Sequence, residues 1–196
     1  MPEDTQLSDS DGVFLVKTAR MAVTEFLSNG KRMKLESERE KKFSFNAGVF
    51  VTLNNADGLR GWIGFPIPDK KLSHGIIDAA IAAATEDPRF SPVKKNELND
   101  IVFEVTVLTP PVEITVTDPM EYLEKIKVGR DGLIIRNSFS SGLLLPQVPV
   151  EYGWNVEEFL QHTCEKAGLE KNVWKNEKVK IEKFEGIVYK EKSDGS

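Results

Sequence analysis

The sequence predicts an α+β fold: a mixed, largely antiparallel sheet flanked by helices. Three observations carry that expectation. Two stretches with a period of two, Gly48 to Leu53 and Leu59 to Gly64, flank the turn cluster Asn54-Asn55-Ala56-Asp57-Gly58, the pattern of a β-hairpin. Apolar residues recur at helical spacing both before and after that hairpin. The chain does not alternate strictly between strands and helices, which disfavours a doubly wound parallel sheet.

Taken in order, residues 1–12 hold four acids (Glu3, Asp4, Asp9, Asp11) and no base, and read as a solvated acidic tail. Leu15, Ala19, Ala22, Val23, Phe26 and Leu27 mark a helix near 12–29, with Ser10 or Asp11 available as cap and Gly30 placed to end it. Residues 31–42 hold six bases and three acids without a clean period, and read as an exposed linker. After the hairpin, Pro66 and Pro68 end the pairing because proline lacks the N–H donor. The Ala- and Ile-rich stretch Ser73 to Glu86 is a helix closed by Asp87-Pro88.

Ile101, Phe103, Val105 and Val107 line one face of a core strand that stops at Pro110-Pro111. Asp118-Pro119 is a cap followed by an N1 proline, opening a short helix through Ile126. Leu133 to Arg136 and Leu143 to Val148 read as two short paired strands. Asn155 and Glu158 have capping-box spacing and open a helix ending near Ala167-Gly168. Lys178 to Tyr189 reads as a terminal strand pair, and residues 191–196 as a second tail. The whole is one domain over 13–190.

Composition narrows the function. The chain has 196 residues, a net charge of −5, and 26 Lys+Arg against 31 Asp+Glu, which argues against dedicated binding of nucleic acid or of an anionic membrane. One cysteine, Cys164, forbids an internal disulfide. No apolar run approaches the roughly 20 residues of a membrane span, and the acidic N-terminus is not a signal peptide. A cytoplasmic setting is expected. There is no phosphate-binding G-x-x-x-x-G-K-[ST], no H-E-x-x-H, no C-x-x-C and no G-x-S-x-G elbow. With two histidines in all, His74 and His162, neither a metal site nor a cofactor is expected.

The most unusual stretch is Gly58-Leu59-Arg60-Gly61-Trp62-Ile63-Gly64. Glycine at every third position of a strand marks a bend or a close approach. An arginine beside an exposed backbone is either an anion clamp or a hairpin arginine paired with a nearby acid.

Leu59-Arg60-Gly61-Trp62-Ile63-Gly64 resembles the signature Leu-Arg-Gly-Cys-Ile-Gly of the AMMECR family. Further stretches are similar in the same order: Gly48 to Leu53, Asp87-Pro88-Arg89-Phe90, Glu104 to Leu108, Gly132-Leu133, Leu145-Pro146-Gln147-Val148, Trp154 with Glu158-Phe159-Leu160, and Lys166 to Leu169. The resemblance spans about 13–190. It implies a larger and a smaller lobe with a cleft between them, a signature suspected to be functional, and a functional link to Memo-type and radical S-adenosylmethionine proteins. It implies no established reaction. The family's signature cysteine is Trp62 here, which excludes a thiolate at that position.

The leading expectation is a site that binds, or acts on, a small anionic ligand or a modified residue. Arg60, Gly61, Trp62, Gly64 and Gln147 are the candidate ligand-binding residues, with Arg60 on the anion. Glu104, an acid in a strand whose other face is apolar, is either the buried partner of Arg60 or a general acid or base. Gln147 either satisfies backbone groups or orients a ligand, and Trp62 either stacks on a ligand or packs as core. Arg89 either caps helix carbonyls or pairs with Asp87. The alternative is a non-catalytic adaptor docking a protein partner, or RNA through the basic 31–42 stretch.

Overall fold

A computed structural model describes residues 7–35, 37–176 and 179–191, with the backbone only at 37–39. It divides into two compact units, residues 1–108 with 187–196 and residues 109–186. As expected, the fold is α+β. The strand pairings β1–β2, β1–β3, β4–β7, β5–β6 and β5–β7, with ranges given below, are all antiparallel.

In the first unit, helix α1 is Asp9–Asn29. It opens earlier than the sequence suggests because Ser8, not Ser10 or Asp11, is the cap. The Ser8 hydroxyl accepts from the Asp11 amide, and the Asp11 carboxylate accepts from the Ser8 amide. Asp11 is buried and paired with Lys42. Residues 7–12 therefore belong to the folded unit and not to an acidic tail; residues 1–6 lie outside the described residues. The expected linker holds a short helix, α2 (Ser37–Lys42), flanked by the buried side chains of Met33 and Phe43.

Strands β1 (Val49–Asn55) and β2 (Gly58–Phe65) form the expected hairpin. Helix α3 is Leu72–Thr85, and β3 is Val102–Leu108. The strand order is β2-β1-β3, with β7 (Lys180–Lys190) beside β3, so β2 is an edge strand. Val49, Val51 and Leu53 of β1 and Phe103, Val105 and Val107 of β3 are buried in one core with Leu15, Ala19 and Val23 of α1 and Ile76, Ala80 and Ala83 of α3. Period-two strands and 3.6-period helices thus bury one face each.

Glu191, just past β7, is fastened to this core. Glu191, expected in a tail, accepts from Arg20 Nε at 2.5 Å and Nη2 at 2.7 Å and from the Phe103 amide at 3.0 Å. Arg20 also donates to the Leu98 and Ile101 carbonyls and lies 4.6 Å from the Phe103 ring centroid. Residues 192–196 lie outside the described residues.

The second unit has its own core, built from Ile114, Tyr122, Leu133, Ile135, Phe159, Leu160, Trp174 and Ile181 among others. Its elements are β4 (Val112–Glu113), α4 (Tyr122–Lys125) behind a 3-10 turn capped by Asp118, β5 (Asp131–Arg136), β6 (Ser141–Leu144), α5 (Gln147–Tyr152) and α6 (Val156–Lys166). Two expectations change here. The strand expected through Val148 stops at Leu144, because Pro146 caps α5 and Pro149 sits within it. The terminal strand pair is one strand, β7, pairing with β5 and β4; residues 177–178 lie outside the described residues.

Glu191→Gln should lower stability by about 1.5–3 kcal/mol, the range for a hydrogen bond to a charged group. Urea denaturation checks this, and an unchanged midpoint would mean that the clasp is idle.

Candidate functional site

The register of the first unit's sheet assembles the site. Trp62 faces Thr52, and Thr52 faces Glu104, so these three form one cross-strand row. The next row is Gly64, Phe50 and Thr106. Alternation puts both rows on the sheet face opposite the one packed on α1 and α3. Thr52, Trp62, Glu104 and Thr106 are each half-buried. The Phe50 and Trp62 rings stack at 5.3 Å with a 19° interplanar angle.

Most of the signature is bonded into the fold. An ideal Cβ on Gly61 would sit 2.1 Å from the Ala83 carbonyl oxygen, so α3 lies directly on this strand because residue 61 has no side chain. A Cβ on Gly64 would sit 2.3 Å from the Phe50 ring. Both glycines serve close packing. Neither is shown to meet a ligand.

Arg60 falls where the β1–β2 register shifts, and it faces no β1 residue. Its Nε donates to Glu97 Oε2 at 2.9 Å, its Nη2 to Glu97 Oε1 at 3.3 Å, and its Nη1 to the Ser91 carbonyl at 3.0 Å. Its side chain is only 12% exposed. Arg60's hydrogen bonds, joined by the Lys94 amide, hold the Glu97 carboxyl below the usual carboxylate range. The partner of Arg60 is thus Glu97 and not Glu104, and three of its donors are committed within the chain.

Trp62 is held through its backbone. Its N–H points away from β1 and donates to Asp87 Oδ2 at 2.9 Å, while Arg89 Nη2 reaches the Trp62 carbonyl at 3.4 Å. Arg89 also grips Asp87, Nε to Oδ1 at 3.0 Å and Nη2 to Oδ2 at 2.7 Å. The pair substitutes for a neighbouring strand at this edge, one acceptor and one donor. It decides the earlier alternative: Arg89 pairs with Asp87. The Arg89 guanidinium lies 5.7 Å from the Trp62 ring centroid. Asp87 is buried, and its carboxyl is held down at about 2, first by Arg89's hydrogen bonds, then by the Trp62 and Arg89 amides, against the cost of burial.

Glu104 is different. Among the described residues its carboxylate makes no hydrogen bond or ion pair, and the Thr52 and Thr106 hydroxyls make none either. Gln147 is exposed at the start of α5 in the second unit, not inward in a strand. Cys164 is buried, and burial pushes its thiol up to about 11, so it supplies no thiolate near neutral pH. Among the described residues no group of three or more His, Cys, Asp or Glu is placed to hold a metal ion, and no helix is long and apolar enough to cross a membrane.

Sequence reading singled out Trp62 and Glu104 and passed over Thr52, Phe50 and Thr106, which the register places beside them. The turn alone does not give this pairing: Asn55–Gly58 and Asn54–Leu59 would continue to Thr52 opposite Gly61, and the bulge at Arg60 shifts the register by one to set Thr52 opposite Trp62. Glu97 had no local signal either, since nothing near it reports a partner 37 residues away.

These features define an antiparallel α+β protein whose glycine-spaced edge strand is packed under one helix. Residues 16–189 match the AMMECR1 family model, and the chain belongs to that family. It is 51% identical over 187 residues to Protein MJ0810 of Methanocaldococcus jannaschii, covering 94% of this chain and 92% of that one. It is 47% identical over 191 residues to Protein PYRAB00100 of Pyrococcus abyssi, covering 95% and 93%. The crystal structure of the uncharacterized protein PH0010 from Pyrococcus horikoshii is similar, with a TM-score of 0.77, 48% identity, and coverage of 95% and 94%.

Asp87 gives a pH signature. Its folded pKa of about 2 lies below the ordinary 3.8, so its carboxylate stabilises the fold above about pH 4 and that contribution disappears as pH falls toward 2. The shift corresponds to about 2 kcal/mol. The unfolding free energy of the wild type should exceed that of Asp87→Asn by about that amount at pH 7, with the gap closing near pH 2. A gap that does not change between pH 7 and pH 2 would contradict the assignment.

Proposed function

We propose that the chain is a ligand-binding protein whose site is the row Trp62–Thr52–Glu104, on the face of the first unit's sheet opposite the one packed on α1 and α3. The ligand is a small molecule or a modified side chain. The observation that carries this reading is Glu104: a half-buried carboxylate, without a partner among the described residues, beside two unbonded hydroxyls and a stacked aromatic pair. A structural carboxylate in such a place is ordinarily paired, as Glu97 and Asp87 are here. Glu104 is also the group on this face able to take a proton from a bound ligand. Arg60 would serve an anionic ligand only by leaving Glu97, so recognition of an anion is not the reading favoured here.

One observation favours docking as a second reading. In the second unit, Phe139 is 96% exposed on a tight loop where Asn137 Oδ1 accepts from the Phe139 and Ser140 amides. A loop tied by Asn137 and presenting a bare aromatic ring is suited to a pocket on a protein partner. For the RNA version, two of the six bases in the 31–42 stretch are engaged within the fold, Arg32 with Asp78 and Lys42 with Asp11.

A fragment screen read by ¹H–¹⁵N correlation spectra tests the first reading. Fragments that bind should shift the Trp62 indole and the Thr52 and Glu104 amides together, and Glu104→Gln should reduce those shifts while leaving the melting temperature unchanged. Shifts that gather around residues 137–141 instead, or none on the sheet face, would reject it in favour of docking.

A further inference from the structure

Resting on the site proposed above, we infer the class of its ligand: a small zwitterion with an apolar body, an α-amino acid whose ammonium lies on Glu104 and whose carboxylate lies on Lys190. The sheet continues beyond β3. The Glu191 amide donates to the Phe103 carbonyl at 3.0 Å and the Thr109 amide to the Glu185 carbonyl at 2.8 Å, which fixes the antiparallel register of β7 against β3. That register sets Lys190 opposite Glu104 and Val188 opposite Thr106. Phe103 and Glu191 form a hydrogen-bonded pair, so Glu104 and Lys190 form a non-hydrogen-bonded one. Such pairs bring side chains closer, with Cα atoms about 4.5 Å apart. The row therefore reads Trp62, Thr52, Glu104, Lys190: an aromatic ring, a hydroxyl, an anion and a cation.

Among the described residues neither Glu104 nor Lys190 makes an ion pair or a hydrogen bond through its side chain, and Lys190 is exposed. Pairing of an exposed lysine with the glutamate across from it contributes little, so a ligand that separates them loses little. The cations at the other end of the row are engaged. Arg60 is held by Glu97, and Arg89, 5.7 Å from the Trp62 ring centroid, is held by Asp87. A ligand with one charge meets its own sign here as well as the opposite one: a bare cation faces Lys190, and a bare anion faces Glu104. A ligand with both charges on one carbon satisfies both side chains and gains two charge-assisted hydrogen bonds. The Thr52 hydroxyl, on the strand beside Glu104, is placed to accept a further N–H of the ammonium. The body then runs over Thr52 toward Trp62, whose Cα lies about 10 Å from that of Glu104 at two strand spacings of about 4.8 Å. Phe50 is buried, fills the space over Gly64 and covers one face of the indole. The body therefore meets Thr52 and the exposed part of the half-buried Trp62, a short apolar wall that suits an aromatic or branched aliphatic side chain.

The test compares L-phenylalanine with the two molecules that each lack one of its charges, phenethylamine and 3-phenylpropionate. Each is titrated into the ¹⁵N-labelled wild type, Glu104→Gln and Lys190→Gln, with shifts followed at Trp62, Thr52, Glu104 and Lys190. Phenylalanine should bind at least about tenfold more tightly than either single-charge probe. Glu104→Gln should bring its affinity down to that of phenylpropionate, and Lys190→Gln down to that of phenethylamine. Phenethylamine or phenylpropionate binding on this face as tightly as phenylalanine would overturn the zwitterion inference and keep the site. A preference for phenylalanine that survives both substitutions would overturn the assignment of its charges to Glu104 and Lys190. No shift on this face with any probe at millimolar concentration would overturn both the inference and the site reading on which it rests. Non-additive losses of stability in Glu104→Gln and Lys190→Gln would then identify the pair as an internal ion pair.

Discussion

The Asp87 carboxylate ties the signature strand to the helix above it. It is buried at the exit of α3, accepts from the Trp62 amide on the outer edge of β2, and is gripped from the other side by Arg89. A bare edge strand offers unpaired N–H and C=O groups to water or to another chain. Here one side-chain pair satisfies both groups of Trp62. The same strand also carries Gly61, whose missing side chain lets the Ala83 carbonyl come down onto it. Remove either feature and the signature strand loses one of its two ties to the helix, while the core beneath α3 remains.

From that constraint follows a division of labour within Leu59 to Gly64. Arg60 goes to Glu97 and Ser91, Gly61 to the helix, Gly64 to the Phe50 ring, and Trp62's backbone to Asp87 and Arg89. What remains for chemistry is the Trp62 side chain and whatever shares its face. That face carries Glu104, whose carboxylate is left unpartnered among the described residues. A signature can therefore be demanding about residue type for reasons of packing while its function rests on neighbours outside it. The backbone role of position 62 also explains how a tryptophan fits where the family has cysteine: the bond to Asp87 uses the amide, whatever side chain the residue carries.

Local patterns in the sequence were enough for the fold. Alternation identified β1, β2 and β3, the alanine-rich period identified α3, and Asn155 with Glu158 identified the start of α6. The errors came where short-range signals compete. Leu143 to Val148 has the apolar content of a strand, yet Pro146 and Pro149 turn its second half into α5, and Gln147 went from an inward strand position to an exposed helix start. The acids at 9 and 11 looked like a solvated tail because composition does not reveal that Ser8 caps a helix. In the site, Glu104 and Trp62 were legible as unusual residues in strands. Their meeting through Thr52 depended on register, and the loss of Arg60 to Glu97 depended on a contact between distant segments. Neither is written in any local window.

Hydrogen exchange at the Trp62 amide tests this account most directly. This N–H points off the edge of the sheet, where an unassisted amide exchanges through local fraying. If Asp87 and Arg89 complete the edge, the amide will be protected to the same degree as those of Val51 and Val105 in the core strands, and Asp87→Asn will release it while the core strands stay protected. A Trp62 amide that exchanges in the wild type as fast as an exposed loop amide would contradict the account, and the signature would then have to be explained by something other than its bonds within the fold.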